Sequence, residues 1–141
     1  MRFDYFYENE DLWQKQDDIL YHATWTKTVP KIEKNGIVPQ KKPSSTGPFG
    51  QDIRQHKDAI YAFNTKRDAI AWAFEIEWST KEPASIVTFK RGDRDWQKDS
   101  HWQSVTGSGD WLYCQCEVPP EDIISVEPMT PELAKAIAGK F

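Results

Sequence analysis

The β-prone stretches of this sequence are short, and their brevity limits the folds open to it. Residues 19–23, 59–63, 85–90 and 122–126 each hold five or six residues rich in apolar, β-branched and aromatic side chains. Residues 111–118 form a longer run that alternates, with Leu112, Cys114, Cys116 and Val118 on one face and Trp111, Tyr113, Gln115 and Glu117 on the other. Strands of this length are too short for a doubly wound sheet. With the helical segments between them, the order β-α-β-α-β-β-β-α predicts an α+β domain of two small packed β-sheets with flanking helices.

The helices carry their own punctuation. Thr28 is placed to cap a helix that tolerates Pro30 in its first turn, shows Val29 and Ile32 on one face, and ends at Gly36. Thr65 caps a second helix and is answered three residues on by Asp68, while Ala69, Trp72, Ala73 and Ile76 fall at helical spacing toward the core. Thr130, Pro131 and Glu132 open a closing helix that runs through Ala138. Pro119 and Pro120 end the alternating strand. Residues 40–58 and 91–109 are irregular, and loops of such length in compact domains are usually either functional or mobile. Residues 1–17 read as a lead-in that packs Phe3, Phe6 or Trp13.

At 141 residues the chain makes one domain with one modest core. Seven tryptophans in a 13% aromatic chain must fill that core or line a groove, because so many exposed rings would make the surface adhesive. The net charge of −4 gives no general attraction to nucleic acid, and Lys41-Lys42 and Lys90-Arg91 read as solvated loop charges. No stretch approaches the ~18 apolar residues of a membrane span, and the first residues lack the apolar run of a secretory signal. Cys114 and Cys116, two apart in an extended strand, lie too far from each other for an unstrained bridge and read as two buried thiols. The cytoplasm is the consistent compartment. His22, His56 and His101 show no paired spacing, so no metal site is expected, and the latter two read as solvated.

Three features in order resemble a known family. A strand ends in Leu20-Tyr21-His22-Ala23-Thr24, followed by a short helix and Asn35-Gly36-Ile37-Val38-Pro39. A second strand, Ala59-Ile60-Tyr61-Ala62-Phe63, runs into a helix beginning at Thr65, and a late strand passes into Val118-Pro119-Pro120-Glu121-Asp122-Ile123. Together, over about residues 19–127, they look like the NAD-binding core of the ADP-ribosyltransferase superfamily. The first piece resembles its Tyr-His-Gly-Thr opening and the second its Val-Tyr-Phe-Thr strand. The flavour is that of the compact His-Tyr-acidic group that includes rifamycin ADP-ribosyltransferases, with DNA ADP-ribosylating toxins more distant. Two positions depart from the pattern. Ala23 stands where the family has Gly, and the Ser or Thr expected after the second strand's Tyr is shifted in Ala62-Phe63-Asn64-Thr65. The resemblance implies one ADP-ribosyltransferase-like domain over residues 1–141, with a split core and NAD as substrate.

Cleaving the nicotinamide–ribose bond builds positive charge at the ribose, so the enzyme must hold the sugar, seat the leaving ring and place negative charge nearby. By resemblance, His22 hydrogen-bonds a ribose hydroxyl, the Ala23 main chain holds the nicotinamide amide, Thr24 adds a hydroxyl contact and Tyr61 stacks on the ring. Three residues compete for the acidic role. Asp110 immediately precedes residues 111–118, where many family members carry the catalytic Glu. Asp99 lies after residues 86–89, where the rifamycin-modifying group places its Asp. Glu117 is the third. The implied catalytic set is His22, Tyr61 and Asp110, and the implied NAD contacts are His22, Ala23, Thr24, Tyr61 and Asp99. Phe49, Trp96 and Trp102 in the flanking loops are candidates to cover NAD or touch the acceptor, or to stack on the protein's own surface. The expected reaction is mono-ADP-ribosyl transfer to a protein, nucleic acid or small molecule. The alternative is a catalytically inactive module of the same fold that binds a nucleotide or a protein partner, as an inhibitor or decoy would. RNA 2′-phosphotransfer, also run on this fold, needs several Arg on the phosphates, and Arg2, Arg54, Arg67, Arg91 and Arg94 are not placed with His22.

Overall fold

A computed structural model describes residues 17–39, 58–99 and 109–138. Among these, six strands form one antiparallel sheet: β1 Ile19–Trp25, β2 Ile60–Phe63, β3 Ala84–Lys90, β4 Gln97–Lys98, β5 Trp111–Cys114 and β6 Ile123–Pro128, in the order β4-β5-β2-β1-β3-β6. Three α-helices accompany it, α1 Val29–Asn35, α2 Lys66–Thr80 and α3 Pro131–Ala138. The domain is therefore α+β, as its element order predicts. The expected two packed sheets are instead one, because β1 and β2 lie edge to edge through the pair Tyr21↔Phe63.

That joint is narrow. β1 is in register with β3 from Ile19↔Lys90 to Trp25↔Ala84, and β2 with β5 from Ile60↔Cys114 to Phe63↔Trp111. Between β1 and β2 the register holds at a single residue pair. The sheet is thus two three-stranded halves, β4-β5-β2 and β1-β3-β6, meeting at a seam.

Helices rather than a second sheet cover the two faces. On one, Tyr21, Ala23, Phe63, Ile86 and Trp111 pack with Ala69, Ile70, Ala73 and Ile76 of α2, and Leu133 and Ala136 of α3 join them. On the other, Leu20, Ile60, Val87, Phe89 and Leu112 pack with Ile32 of α1 and with Ile37, Trp96 and Val118. The alternation of strand side chains produces this division, since neighbours along β1 point to opposite faces. Trp72 is half-buried and meets Trp111 edge-on at 5.4 Å between ring centroids.

The local signals act as their chemistry requires, with one exception. The Thr65 hydroxyl accepts from the Asp68 backbone N–H at 3.3 Å and donates to the Asp68 carboxylate at 3.1 Å. Thr130 accepts from the Leu133 N–H at 3.2 Å at the start of α3. Thr28 stands at the start of α1 but makes no side-chain cap, because its backbone already continues a 3-10 turn, Thr26–Thr28. Gly36 takes φ +85° after α1, where a Cβ would lie 2.0 Å from the Val118 carbonyl oxygen.

Two strand expectations change. Gln97–Lys98 adds an edge strand within a stretch that reads as loop. β5 stops at Cys114, half the expected length, and the chain bends so that the Cys114 and Cys116 Cα atoms lie 5.2 Å apart and the residues form a disulfide. Residues two apart in an extended strand are separated by about 6.6 Å. The bend is what turns the expected pair of thiols into a bridge.

Trp96 belongs to the core, packed on Phe89 with its indole N–H donating to the Arg91 carbonyl at 3.2 Å. Phe3, Phe6, Trp13, Lys41, Lys42, Phe49, His56, His101 and Trp102 lie outside the described residues. Among the described residues, no helix is long and apolar enough to cross a membrane.

Candidate functional site

At the seam the His22 ring meets the Tyr61 main chain. β1 delivers His22 to it, and the Nδ1–H of the imidazole donates to the Tyr61 backbone carbonyl of β2 at 2.7 Å. This bond selects the tautomer, because a neutral ring that donates from Nδ1 keeps its lone pair on Nε2. Burial lowers the His22 pKa from the ordinary 6.5, and the bond to the Tyr61 carbonyl partly opposes that shift. A neutral imidazole with an acceptor nitrogen suits contact with a hydroxyl.

Tyr61 is half-buried and lies across from Tyr113 of β5, the two rings tilted with centroids 6.4 Å apart. Strand alternation sets the Tyr61 side chain on the Phe63 face of β2, while His22 leaves β1 on the Leu20 face. The imidazole thus reaches Tyr61 through its main chain at the seam. Ala23 and Thr24 continue β1, buried and paired with Ile86 and Ser85 of β3.

The acidic candidates occupy three distinct places. Asp110 is bound to Asn64 at the end of β2 in both directions. The Asn64 side-chain amide donates to Asp110 Oδ2 at 3.1 Å, and the Asp110 backbone N–H donates to Asn64 Oδ1 at 2.8 Å. Lys98 Nζ stands 3.3 Å from Asp110 Oδ1. Gly109 makes this approach available, since a Cβ there would meet Asn64 Oδ1 and Thr65 Cγ2 at 2.5 Å. From the strand order and register, Asp110 lies two strand spacings and two residues away from His22, roughly 12 Å between Cα atoms. Asp99 is buried just after β4, its N–H donating to the Trp111 carbonyl at 2.8 Å, one strand spacing farther from β1. Glu117 is exposed beyond the bend that ends β5.

No family model and no curated protein matches the chain.

The site's geometry brings the His22 ring to the Tyr61 main chain, sets the Tyr61 and Tyr113 rings together on the opposite face of the sheet, places Asn64 and Asp110 at the far end of β2, and leaves Asp99 and Glu117 apart. No local sequence signal marks Tyr113 or Asn64 as neighbours of Tyr61 and Asp110. Tyr113 was visible only as one position of an alternating strand, and its place beside Tyr61 depends on a non-local register. Asn64 was visible as the residue displacing the expected hydroxyl. Of the arginines, Arg94 serves structure, donating to the Lys90 carbonyl at 2.6 Å and to Asp122 at 3.0 Å. Arg67 is fully buried at the start of α2, and burial lowers its pKa against the opposing pull of Asp68. Among the described residues, no group of three or more His, Cys, Asp or Glu side chains is gathered to hold a metal.

Proposed function

We propose that this chain is a mono-ADP-ribosyltransferase that binds NAD at the seam between β1 and β2, cleaves the nicotinamide–ribose bond and passes ADP-ribose to an acceptor. The observation that carries the reading is the His22–Tyr61 contact at a point where the sheet is joined by one residue pair. A sheet so nearly divided is in keeping with the split core that the sequence resemblance implies. In this reading the His22 Nε2 accepts from a ribose hydroxyl on the Leu20 face of the sheet, and the Tyr61 main chain holds the imidazole in place, while the Tyr61 and Tyr113 rings lie on the opposite face. Asp110 supplies the negative charge near the ribose, being nearer to β1 than Asp99. Ala23 and Thr24 contribute main-chain and hydroxyl contacts.

A second reading is the inactive module that binds a nucleotide or protein partner. The observation favouring it is that Asn64 and Lys98 each engage one oxygen of the Asp110 carboxylate, which spends the charge an oxocarbenium-like centre requires. Incubation of the full chain with NAD separates the two. The enzyme releases nicotinamide, and His22→Ala abolishes the release. The module binds NAD without releasing it. Absence of NAD binding overturns both nucleotide readings.

A further inference from the structure

We propose that Cys114 and Cys116 form a reversible thiol–disulfide exchange site that sets the length of β5. The disulfide spans a single intervening residue. The sequence around it has the pattern of an uninterrupted eight-residue strand, with Leu112, Cys114, Cys116 and Val118 on one side, and all four do pack on the same hydrophobic cluster. Yet β5 ends at Cys114. The bond and the pattern ask for different backbones, since the bridge holds the two Cα atoms at 5.2 Å and an extended strand would set them about 6.6 Å apart.

The partner for a longer strand is already in place. Continuing the Ile60↔Cys114 register sets Gln115 opposite Ala59 and Cys116 opposite Asp58. The Gln115 side-chain amide donates to Asp58 at 2.9 Å, and Val118 is bridged to Ile37. Opening the disulfide frees the backbone to extend along residues that flank it on both sides.

The co-reactant is a dithiol. Its thiolate attacks the sulfur of Cys116, which is only half-buried, whereas Cys114 is 2% exposed. The Cys114–Cys116 bond breaks, its electron pair leaves on the Cys114 sulfur, and that sulfur takes a proton. The second thiol of the reductant then attacks the mixed disulfide, releasing Cys116 as a thiol and leaving the reductant as a disulfide. Two electrons and two protons pass to the protein. An oxidised dithiol runs the exchange backward. The proposal stands independently of NAD, although Tyr113 adjoins the bridge.

The test uses the full chain with dithiothreitol, followed by alkylation and intact mass, and amide hydrogen exchange. The expected result is reduction of the folded protein with two alkylated cysteines, exchange at least tenfold slower at the Gln115 or Cys116 amide that faces β2, and return of fast exchange on adding oxidised dithiothreitol. The Cys114→Ser/Cys116→Ser double variant should show the slow exchange with or without reductant. If that variant does not fold, the wild-type reduction series decides alone. A bridge that opens only after unfolding, thiols that oxidised dithiothreitol never joins, or equal exchange in both redox forms overturns the proposal.

Discussion

Replacing Gly36 by alanine should cost this domain a large part of its stability. The residue sits at φ +85° and ψ −173°, a region that only glycine occupies readily, and an alanine forced there costs about 1–3 kcal/mol. Its Cβ would also stand 2.0 Å from the Val118 carbonyl oxygen, 3.0 Å from the carbonyl carbon and 3.1 Å from the Pro119 Cα. All three are backbone atoms, so no side-chain rotation relieves the clash. Moving Val118 away breaks the Ile37 N–H to Val118 carbonyl bond at 2.8 Å and the reciprocal bond at 2.9 Å. Each contributes about 0.5–1.5 kcal/mol net. The combined loss is roughly 3–5 kcal/mol, against a total of about 5–15 kcal/mol for an ordinary domain. Urea unfolding followed by tryptophan fluorescence measures it: the midpoint should fall by roughly 2 M with the slope unchanged. Asn35→Ala, at the exposed preceding residue, should stay within about 0.5 kcal/mol of wild type. A Gly36→Ala loss below about 1 kcal/mol would refute the close approach of the α1 end to the chain after β5.

Thr65→Ala removes a hydroxyl that both accepts from the Asp68 N–H and donates to its carboxylate, and should lower stability by about 1 kcal/mol, with Thr65→Ser restoring most of it in the same urea assay. Gly109→Ala drives a methyl group into Asn64 and Thr65 and should cost about 1–3 kcal/mol. Its effect should fall short of additivity with Asn64→Ala in a double-mutant cycle, because both disturb the same pair of bonds to Asp110. His22 should make stability depend on pH. Its folded pKa is lowered, so the unfolded chain binds the proton more readily, and the contribution is whole above about pH 6.5 and lost as pH falls toward the folded value. Unfolding free energies of wild type and His22→Gln at pH 7.5, 6.5 and 5.5 should therefore show wild type losing ground on acidification, and a constant difference would contradict the assignment.

What the sequence made legible follows the range of each interaction. The Thr65 cap, the Gly36 turn and the apolar face of α2 depend on residues within a few positions of one another, so spacing alone places them. The contact between His22 and Tyr61 spans 39 residues. Only the resemblance to a family connected the two positions. β4 carries no sequence signal because Gln97 and Lys98 have no apolar pattern, being an exposed edge paired to Tyr113 and Leu112 by backbone. The number of sheets is illegible for a related reason. Strand length gives the size of a ladder, but whether two short ladders stack or join at an edge depends on one residue pair, Tyr21↔Phe63, that no local signal marks. β5 shows the reverse case, where a legible alternation is overridden by a covalent bond between two of its own members.

The seam has a physical consequence for any chemistry there. Strands inside a sheet normally satisfy each other's backbone groups along their whole length, and a buried carbonyl left without a donor is costly. β1 and β2 are in register at one pair, and the Tyr61 carbonyl receives its hydrogen from the His22 ring. A histidine can fill this role and still act on a ligand, because its two nitrogens point in different directions: one is committed to the fold and the other keeps a lone pair. Asparagine could also donate to the carbonyl, but its remaining groups end close to the same backbone. The bond that ties the imidazole to β2 therefore also fixes its tautomer and its heading. Loss of His22 should accordingly disturb the seam and the proposed ribose contact together, which is why nicotinamide release and stability must be measured on the same variants.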